Sequence, residues 1–599
     1  MSKNIILKYI NKMIKKQTLI EIFSEALVYY KKKNFKSAEI LCNKILTIDP
    51  HHFKSLSLLA TISAVLGDFE KAKKLIKQVV EIEPTNKSAL NNLGTAYREL
   101  GEIKKAENTY LKILEIDQNH TNANYNLGLI YHSLKELKKA KKFFKKTVEV
   151  QSNYAVAYYS LANVHVELKE VKDALSCYQK AIEINPNLVS AYNNLGLLHR
   201  ELNDFKSSIS CYENAIKINP KYANAHHNLA EIYKEIGNFQ KSIKSSMMAI
   251  QCEPNNLMNY YFLSQLKEDI LKSDLKKKIE QIIENKKDTK SNHAYGNYLL
   301  AKYERGKKNY EKELDYLKKG HLNFYISKKD RFDLNIKYCF DDVIKISKEA
   351  EVEKTKEIKK YNENPIFIFG VPRSGSTLVE KIIASGKNFV PIGEEIGVIG
   401  NYVISKVLKK ESLLLGKSDD LRNELYEIYK DKNLIFEKYK YTFTDKSLDN
   451  FFYLKIIKSV YPNAKLINCK RNTLSSIMSI FQNNLTTLSW AHDLDNIFKY
   501  FNNYFEIVEK FNKENPNQVY NLNFEKLINN PEEESKKLME YCNLPWDRKC
   551  LEFYKRKDLT SKTASNIQIR EAIYKHPAGK YLPYKRLLEK YGKKYSWFN

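Results

Sequence analysis

The sequence predicts two domains of different class: an all-α superhelix of repeated helical pairs, then an α/β domain with a parallel central sheet and a P-loop-like turn. Three observations predict it. Pro50, Pro84, Pro186, Pro220 and Pro254 stand 34 residues or a multiple of 34 apart, with Gln118 and Ser152 on the two remaining beats; a fixed period of this length marks stacked repeats. Small residues recur in the same frame where paired helices must cross closely: Ala26, Ala60, Gly94, Gly128, Ala162, Gly196 and Ala230 at one position, and Ala38, Ala72, Ala106, Ala140 and Ala174 twelve residues on. Far downstream, PIFIFGVPRSGSTLVEK, beginning at Pro365, passes from an apolar strand through a Gly-, Pro- and Ser-rich turn into a helix.

A chain of 599 residues exceeds what one core serves and is expected to form about two to four domains. No run approaches the ~20 consecutive apolar residues that span a bilayer. The opening MSKNIILKYINKMIKKQ interrupts its apolar residues with lysine too often for a secretory signal. A cytoplasmic protein with no integral membrane segment is the expectation. The eight cysteines (Cys42, Cys177, Cys211, Cys252, Cys339, Cys469, Cys542 and Cys550) form neither a CxxC pair nor a metal-ligand spacing with histidine, so reduced thiols and no metal are expected. A formal net charge of +29 leaves two readings open: attraction to anionic partners, or a lysine background that accompanies many Asn, Ile and Tyr residues. No basic-aromatic module stands out, and nucleic acid is not an expected partner.

Within the repeats, Tyr29, Tyr97, Tyr131 and Tyr233 stand three residues after the first small position, on the same helical face. Stretches such as ALNNLGTAYRELGEIKKAENTYLKILEID and AYNNLGLLHRELNDFKSSISCYENAIKINP resemble the tetratricopeptide repeat (TPR), with its pattern of Leu-Gly, Tyr, Ala, aromatic and Pro. After an N-terminal segment, 1–18, the resemblance covers residues 19–254 as about seven repeats. It implies a right-handed superhelix whose concave groove takes a protein or peptide, and it implies no chemistry. Cys177 and Cys211 fall at equivalent positions one repeat apart, as packing residues would. Over 255–361 the pattern loosens. NHAYGNYLLAKYERGKKNYEKELDYLKKG reads as a degenerate helical pair, and the Lys- and Glu-rich run from Ile344 to Lys360 as a connecting helix or linker. The second domain is expected over 362–599.

In that domain GVPRSGST, Gly370 to Thr377, has the spacing of a Walker phosphate loop, but Ser376 stands where its lysine would be and an arginine appears at Arg373. Ile366 to Phe369 can form a buried parallel strand, and Gly370 and Gly375 permit the turn. The N–H groups from Arg373 to Thr377 open a helix whose positive end faces a ligand. The Walker lysine serves a triphosphate and its magnesium, whereas a sulfuryl group carries less charge and needs no metal. The loop resembles the 5′-phosphosulfate loop of the sulfotransferases, in which Arg373, Ser374, Gly375, Ser376 and Thr377 would hold the donor 3′-phosphoadenosine 5′-phosphosulfate (PAPS).

Three further segments extend the resemblance. PNAKLINCKRNTLSSIMSI resembles the family's 3′-phosphate site through Arg471 and Ser479, eight residues apart with Ser475 between them on one helical face. FTDKSLDNFFYLKIIKSVYPNAK supplies Lys446, 25 residues before Arg471, where the tyrosylprotein sulfotransferases and their bacterial relatives have a lysine; a cation there can neutralise the departing phosphate oxygen. TASNIQIREAIYKHPAGKYLPY resembles the late nucleotide-binding stretch, in which Ser565 would assist the leaving group and Arg570 and Lys580 would approach the phosphates.

FVPIGEEIG then places Glu394 and Glu395 where the tyrosylprotein branch has the glutamate that deprotonates the acceptor. Counted without gaps from Arg373 the position falls on Glu394; aligned on Gly393 it falls on Glu395 in the animal enzymes and on Glu394 in the bacterial ones. Glu394 is the expected base, with Glu395 the alternative. A phenol of pKa ~10 needs such a base within hydrogen-bond reach. The chain departs from the family at Phe524 in YNLNFEKLI, commonly a tyrosine, and at SGKNF, where relatives often read SHPQV. NNPEEESKKL reads as a helix capped by Asn530, with Pro531 first and Glu533 as the box partner. The resemblance implies a PAPS-dependent sulfotransferase acting on tyrosine of a protein recruited by the repeats. A glycan or lipid acceptor, or a repeat scaffold with a degenerate catalytic domain, are the alternatives.

Overall fold

The computed structural model describes residues 18–355, 363–410, 412–437, 441–556, 570–573 and 581–598. The chain divides into two compact units between Pro220 and Lys221.

The first unit is helical. Lys87–Glu99 pairs with Ile103–Ile116, Thr121–Ser133 with Leu137–Val150, and Val189–Glu201 with Phe205–Ile218. The small positions have one physical cause. A Cβ added at Gly94, Gly128 or Gly196 would stand 2.7, 2.6 and 2.7 Å from the rings of Tyr110, Phe144 and Tyr212 on the second helix of the same pair. Those rings are fully buried, so each crossing is closed by a large side chain seated on a glycine. Starts of these helices are fixed locally: Asp68, Asn86 and Asp204 accept hydrogen bonds from the backbone N–H groups of Lys71, Ala89 and Ser207.

The second unit opens with further helical pairs, beginning at Ala223–Glu235 with Phe239–Cys252. The expected degenerate pair is Lys290–Gly306 with Tyr310–Ser327, and Gly320 repeats the device, since its Cβ would stand 2.9 Å from the Tyr298 ring. The Lys- and Glu-rich run begins as the expected helix, Val343–Glu349, but then forms a strand that was not expected, β1 (Glu351–Glu353), paired in parallel with β3 (Leu414–Lys417); its last residues, 356–360, lie outside the described residues.

Four strands make the central sheet, β2 (Asn364–Phe369), β4 (Thr442–Asp445), β5 (Lys465–Lys470) and β6 (Val519–Asn523), all parallel and ordered β4-β2-β5-β6. Ile366 to Phe369 are buried on both faces, which is why β2 reads as an unbroken apolar run. The chain leaves β2 for β4 on one side and crosses back to β5 on the other. That reversal makes a switch point at the carboxyl ends of β2 and β5, the place where open parallel sheets receive ligands. Helices Ser376–Ala384 and Thr473–Phe481 follow those two strands.

One capping expectation is corrected. Pro531 does begin the helix Pro531–Tyr541, but the Asn530 side chain makes no cap hydrogen bond. The Asn530 N–H already donates to the Lys526 carbonyl, at 2.8 Å, closing the preceding helix, and a capping box needs that N–H. Glu533 pairs forward with Lys537 at 2.6 Å instead. All eight cysteines are free thiols, and burial pushes those of Cys469 and Cys542 up to about 12. Among the described residues no helix is long and apolar enough to cross a membrane.

Candidate active site

The turn after β2 is built by exclusion. A Cβ on Gly370 would stand 2.7 Å from the Cys469 carbonyl oxygen on β5, and one on Gly375 would stand 2.3 Å from the Phe524 ring. Gly375, at φ +95°, and Arg373, at +69°, bend the chain back, and Gly375 opens the helix Ser376–Ala384 with no side-chain cap. An uncapped helix start presents N–H groups and the positive end of the helix dipole. Ser374 is fully buried, and its Oγ has no hydrogen-bond partner among the described residues. A buried hydroxyl left in that state beside uncapped amides fits an anion seated in the turn.

The two expected anion segments meet. Arg373 Nε donates to Ser479 Oγ at 3.0 Å, and Arg471 Nη1 donates to the Arg373 carbonyl at 3.0 Å. The Arg471 guanidinium lies 4.8 Å over the Phe524 ring, so Phe524 acts as an apolar plate between the Gly375 turn and Arg471. Ser475 and Ser479, four residues apart, share a face of the helix Thr473–Phe481, but Arg471 does not continue that face as expected. The helix starts only at Thr473 with Asn472 as its cap, and both the N–H and the Oγ of Ser475 donate to Asn472 Oδ1, at 3.0 and 2.9 Å. Arg471 therefore precedes the helix and reaches the loop instead.

Residues 391–395 run beside β4: the N–H groups of Thr444, Lys446 and Glu395 donate to Pro391, Gly393 and Lys446 carbonyls at 3.0, 2.9 and 2.7 Å. A Cβ at Gly393 would stand 2.3 Å from the Thr444 carbonyl oxygen, so only glycine allows this approach. It brings both glutamates to Lys446, a fully buried residue. Lys446 Nζ donates to Thr377 Oγ1 at 3.3 Å, Glu394 Oε1 at 3.3 Å and Glu395 Oε1 at 2.9 Å. Burial by itself pulls this ammonium down; the carboxylates of Glu394, Glu395 and Glu380 outweigh it and hold the group well above its ordinary value. Asp445, also buried, accepts from Tyr429 Oη, Ser447 Oγ and Asn450 Nδ2 at 2.6, 2.7 and 3.0 Å, which fixes the turn that carries Lys446. The Glu394 side chain is 11% exposed and that of Glu395 42%.

Sequence reasoning missed Glu380 and Lys381. Glu380 Oε1 accepts from Thr444 Oγ1 at 2.7 Å, and that oxygen accepts from the Gly393 N–H at 3.1 Å, so Glu380 braces the glutamate segment. Burial, only partly offset by Lys381 and Lys446, pushes its carboxyl up to about 7. Lys381 Nζ lies 3.5 Å from Glu394 Oε2 and 4.0 Å from Glu380 Oε2. The available signal was an adjacent pair of opposite charges inside the otherwise apolar LVEKIIA. Of the late stretch, Ser565 and Lys580 lie outside the described residues. Arg570 donates through Nη1 to the Arg556 carbonyl at 3.3 Å and through Nη2 to the Glu235 carbonyl at 3.1 Å. One cluster of metal-type side chains occurs among the described residues, His165, Glu170 and Asp173, where Lys141 Nζ already reaches Glu170 at 2.7 Å.

Residues 365–548 match the family model described as Sulfotransferase family. Residues 66–130, 121–154, 162–202, 196–237 and 223–256 match models of the tetratricopeptide repeat. A TPR-repeat region is thus followed by a sulfotransferase-family domain. An uncharacterized protein of Aquifex aeolicus (strain VF5) is 30% identical over 324 residues, which cover 52% of this chain. The chain spans 42% of that relative's length. Among solved structures, that of MamA is 27% identical, covering 27% of this chain and 95% of its own with a TM-score of 0.26. YrrB, "a TPR protein with an unusual peptide-binding site", is 24% identical, covering 31% and 96% with a TM-score of 0.28.

Proposed function

We propose that the chain is a PAPS-dependent sulfotransferase whose acceptor is a hydroxyl, tyrosine of a protein or peptide recruited by the TPR array rather than a glycan or lipid. The division proposed with it is a repeat array over 19–254, a connector over 255–361 and a transferase domain over 362–599. The observation that carries the reading is the 3.0 Å hydrogen bond from Arg373 Nε to Ser479 Oγ with its companion from Arg471 to the Arg373 carbonyl. It joins the turn after β2 to the helix after β5 at the carboxyl ends of adjacent strands, which supports a single adenylate donor with two anionic ends.

In this reading the loop amides, Arg373 and Ser374 hold the 5′-phosphosulfate, and Arg471 with Ser479 hold the 3′-phosphate. Glu394 takes the acceptor proton as the acceptor oxygen bonds to sulfur. The bond from sulfur to the phosphate oxygen breaks in line, Lys446 compensates the charge gathering on that oxygen, and adenosine 3′,5′-bisphosphate leaves. No metal is required. Tyrosine is favoured by the resemblance of the GEE segment to the tyrosylprotein branch, and a phenol near pKa ~10 needs a carboxylate base such as Glu394 within hydrogen-bond reach. The test is transfer of radiolabelled sulfate from PAPS to an acidic tyrosine peptide beside a panel of glycans. Labelled tyrosine is the expected result, labelled glycan alone would move the acceptor class, and no transfer at all would leave the repeats as the functional part.

A further inference from the structure

We propose that Lys381 is a positioning residue for Glu394, keeping the carboxylate in place and ionised when Lys446 turns from the glutamates to the departing phosphate. The proposal rests on the reading of Glu394 as the base. An ammonium has three N–H donors, and those of Lys446 face Thr377, Glu394 and Glu395 at 3.3, 3.3 and 2.9 Å. Engaging a phosphate oxygen means releasing one of them. A recessed Glu394 deprived of its cation, with the carboxyl groups of Glu380 and Glu395 for neighbours, would take up a proton and cease to be a base.

Lys381 prevents this. Its ammonium stands 3.5 Å from Glu394 Oε2, the oxygen that Lys446 does not hold, and nearer to it than to Glu380 Oε2 at 4.0 Å. Among the described residues, charged groups that face Glu394 include Glu380 and Lys381 from the helix Ser376–Ala384, Lys446 from the end of β4, and Glu395 from its own segment. Lys381 is 1% exposed, and the charged groups beside its ammonium are Glu394 and Glu380. Burying an ammonium is costly unless it is paired, and helix packing alone would favour an apolar side chain at this position.

The full-length chain tests it with two readouts. One is the pH midpoint at which a carbodiimide with glycinamide labels Glu394, read by peptide mass spectrometry; the other is the acid limb of kcat/KM against pH with an acidic tyrosine peptide. For Lys381→Met both should move upward by roughly 1–3 pH units, as for a carboxylate that loses an adjacent cation, and Lys381→Arg should restore both. A fall in kcat with both midpoints unmoved would overturn the proposal. Should Lys381→Met not fold, Glu380→Gln with Lys381→Met removes one charge of each sign and takes its place; if neither folds, Lys381 is an element of the fold and the proposal fails. Wild-type protein that transfers no sulfate, with the labelling midpoint still moved by Lys381→Met, would fail the catalytic reading and leave the coupling standing. Transfer with an unmoved midpoint would do the reverse.

Discussion

Glu394 and Glu395 are neighbours in sequence and unlike in setting. Glu394 is the recessed one, with its oxygens 3.3 Å from Lys446 and 3.5 Å from Lys381, whereas Glu395 stands open at φ +52°. Glu394→Ala should therefore lower kcat by about 10²–10⁴, the range for losing a general base, while affinity for adenosine 3′,5′-bisphosphate stays unchanged by calorimetry. Full turnover in that variant would transfer the role to Glu395. Gly375 makes a second prediction at this scale. Its φ of +95° disfavours any side chain, and the ring of Phe524 occupies the place of a Cβ. Strain of about 1–3 kcal/mol at the turn should weaken bisphosphate binding by Gly375→Ala about tenfold or more, and unaltered affinity would put the donor elsewhere. The glycines and Arg373 were legible from the spacing of GVPRSGST, and the glutamate pair only from the resemblance of FVPIGEEIG to a known family. Glu380 and Lys381 were not, because a helical pattern shows which positions are apolar and does not show that two charges will be buried together against a strand 60 residues away.

Helix ends and helix contacts carry the next predictions. If the uncapped start of Ser376–Ala384 receives the donor phosphate, adenosine 3′,5′-bisphosphate at 100 times its Kd should raise stability by about 2.7 kcal/mol. ATP with magnesium should raise it much less, and equal thermal shifts would count against the donor. A second contact lies behind the helix that carries Ser479. His321 on the helix Tyr310–Ser327 stands 2.8 Å through Nε2 from the Phe481 carbonyl and 3.0 Å through Nδ1 from His492 Nδ1. The carbonyl can only accept, so Nε2 of His321 carries the proton, and its Nδ1, 3.0 Å from both His492 Nδ1 and Tyr298 Oη, is left as the acceptor of a neutral ring. Both imidazoles are buried. Burial, and for His321 also His492, pulls them down to about 3 and about 4 from 6.5. As pH falls below 6.5 the unfolded chain takes up these protons first, so stability present above that pH is lost toward pH 4, by at most about 1.4 kcal/mol per histidine per pH unit. His492→Phe, whose ring can stack as His492 does between Phe324 and Phe332, should show a shallower loss in urea unfolding between pH 6.5 and 4.5. An identical slope would remove the pair from the account.

For the molecule as a whole, the compact unit containing the sheet begins at Lys221, and Arg570 takes hold of the Glu235 carbonyl within it. Removing residues 1–220 should spare turnover of a small phenol and reduce turnover of a protein acceptor, whereas removal through residue 254 should also lower the melting temperature of the remainder. Equal losses on both acceptors would take recruitment out of the mechanism. The sequence by itself determined the repeat register and the strand-turn-helix units, because each follows from a local period or a turn that only certain residues adopt, and its resemblance to a known family singled out the charged residues at their ends. The tertiary structure alone decided which of those ends meet. Arg373 reaches Ser479 across 106 residues and Lys446 joins Thr377 to Glu394 because the sheet runs β4-β2-β5-β6, and strand order is set by how distant apolar faces pack, which no local pattern records.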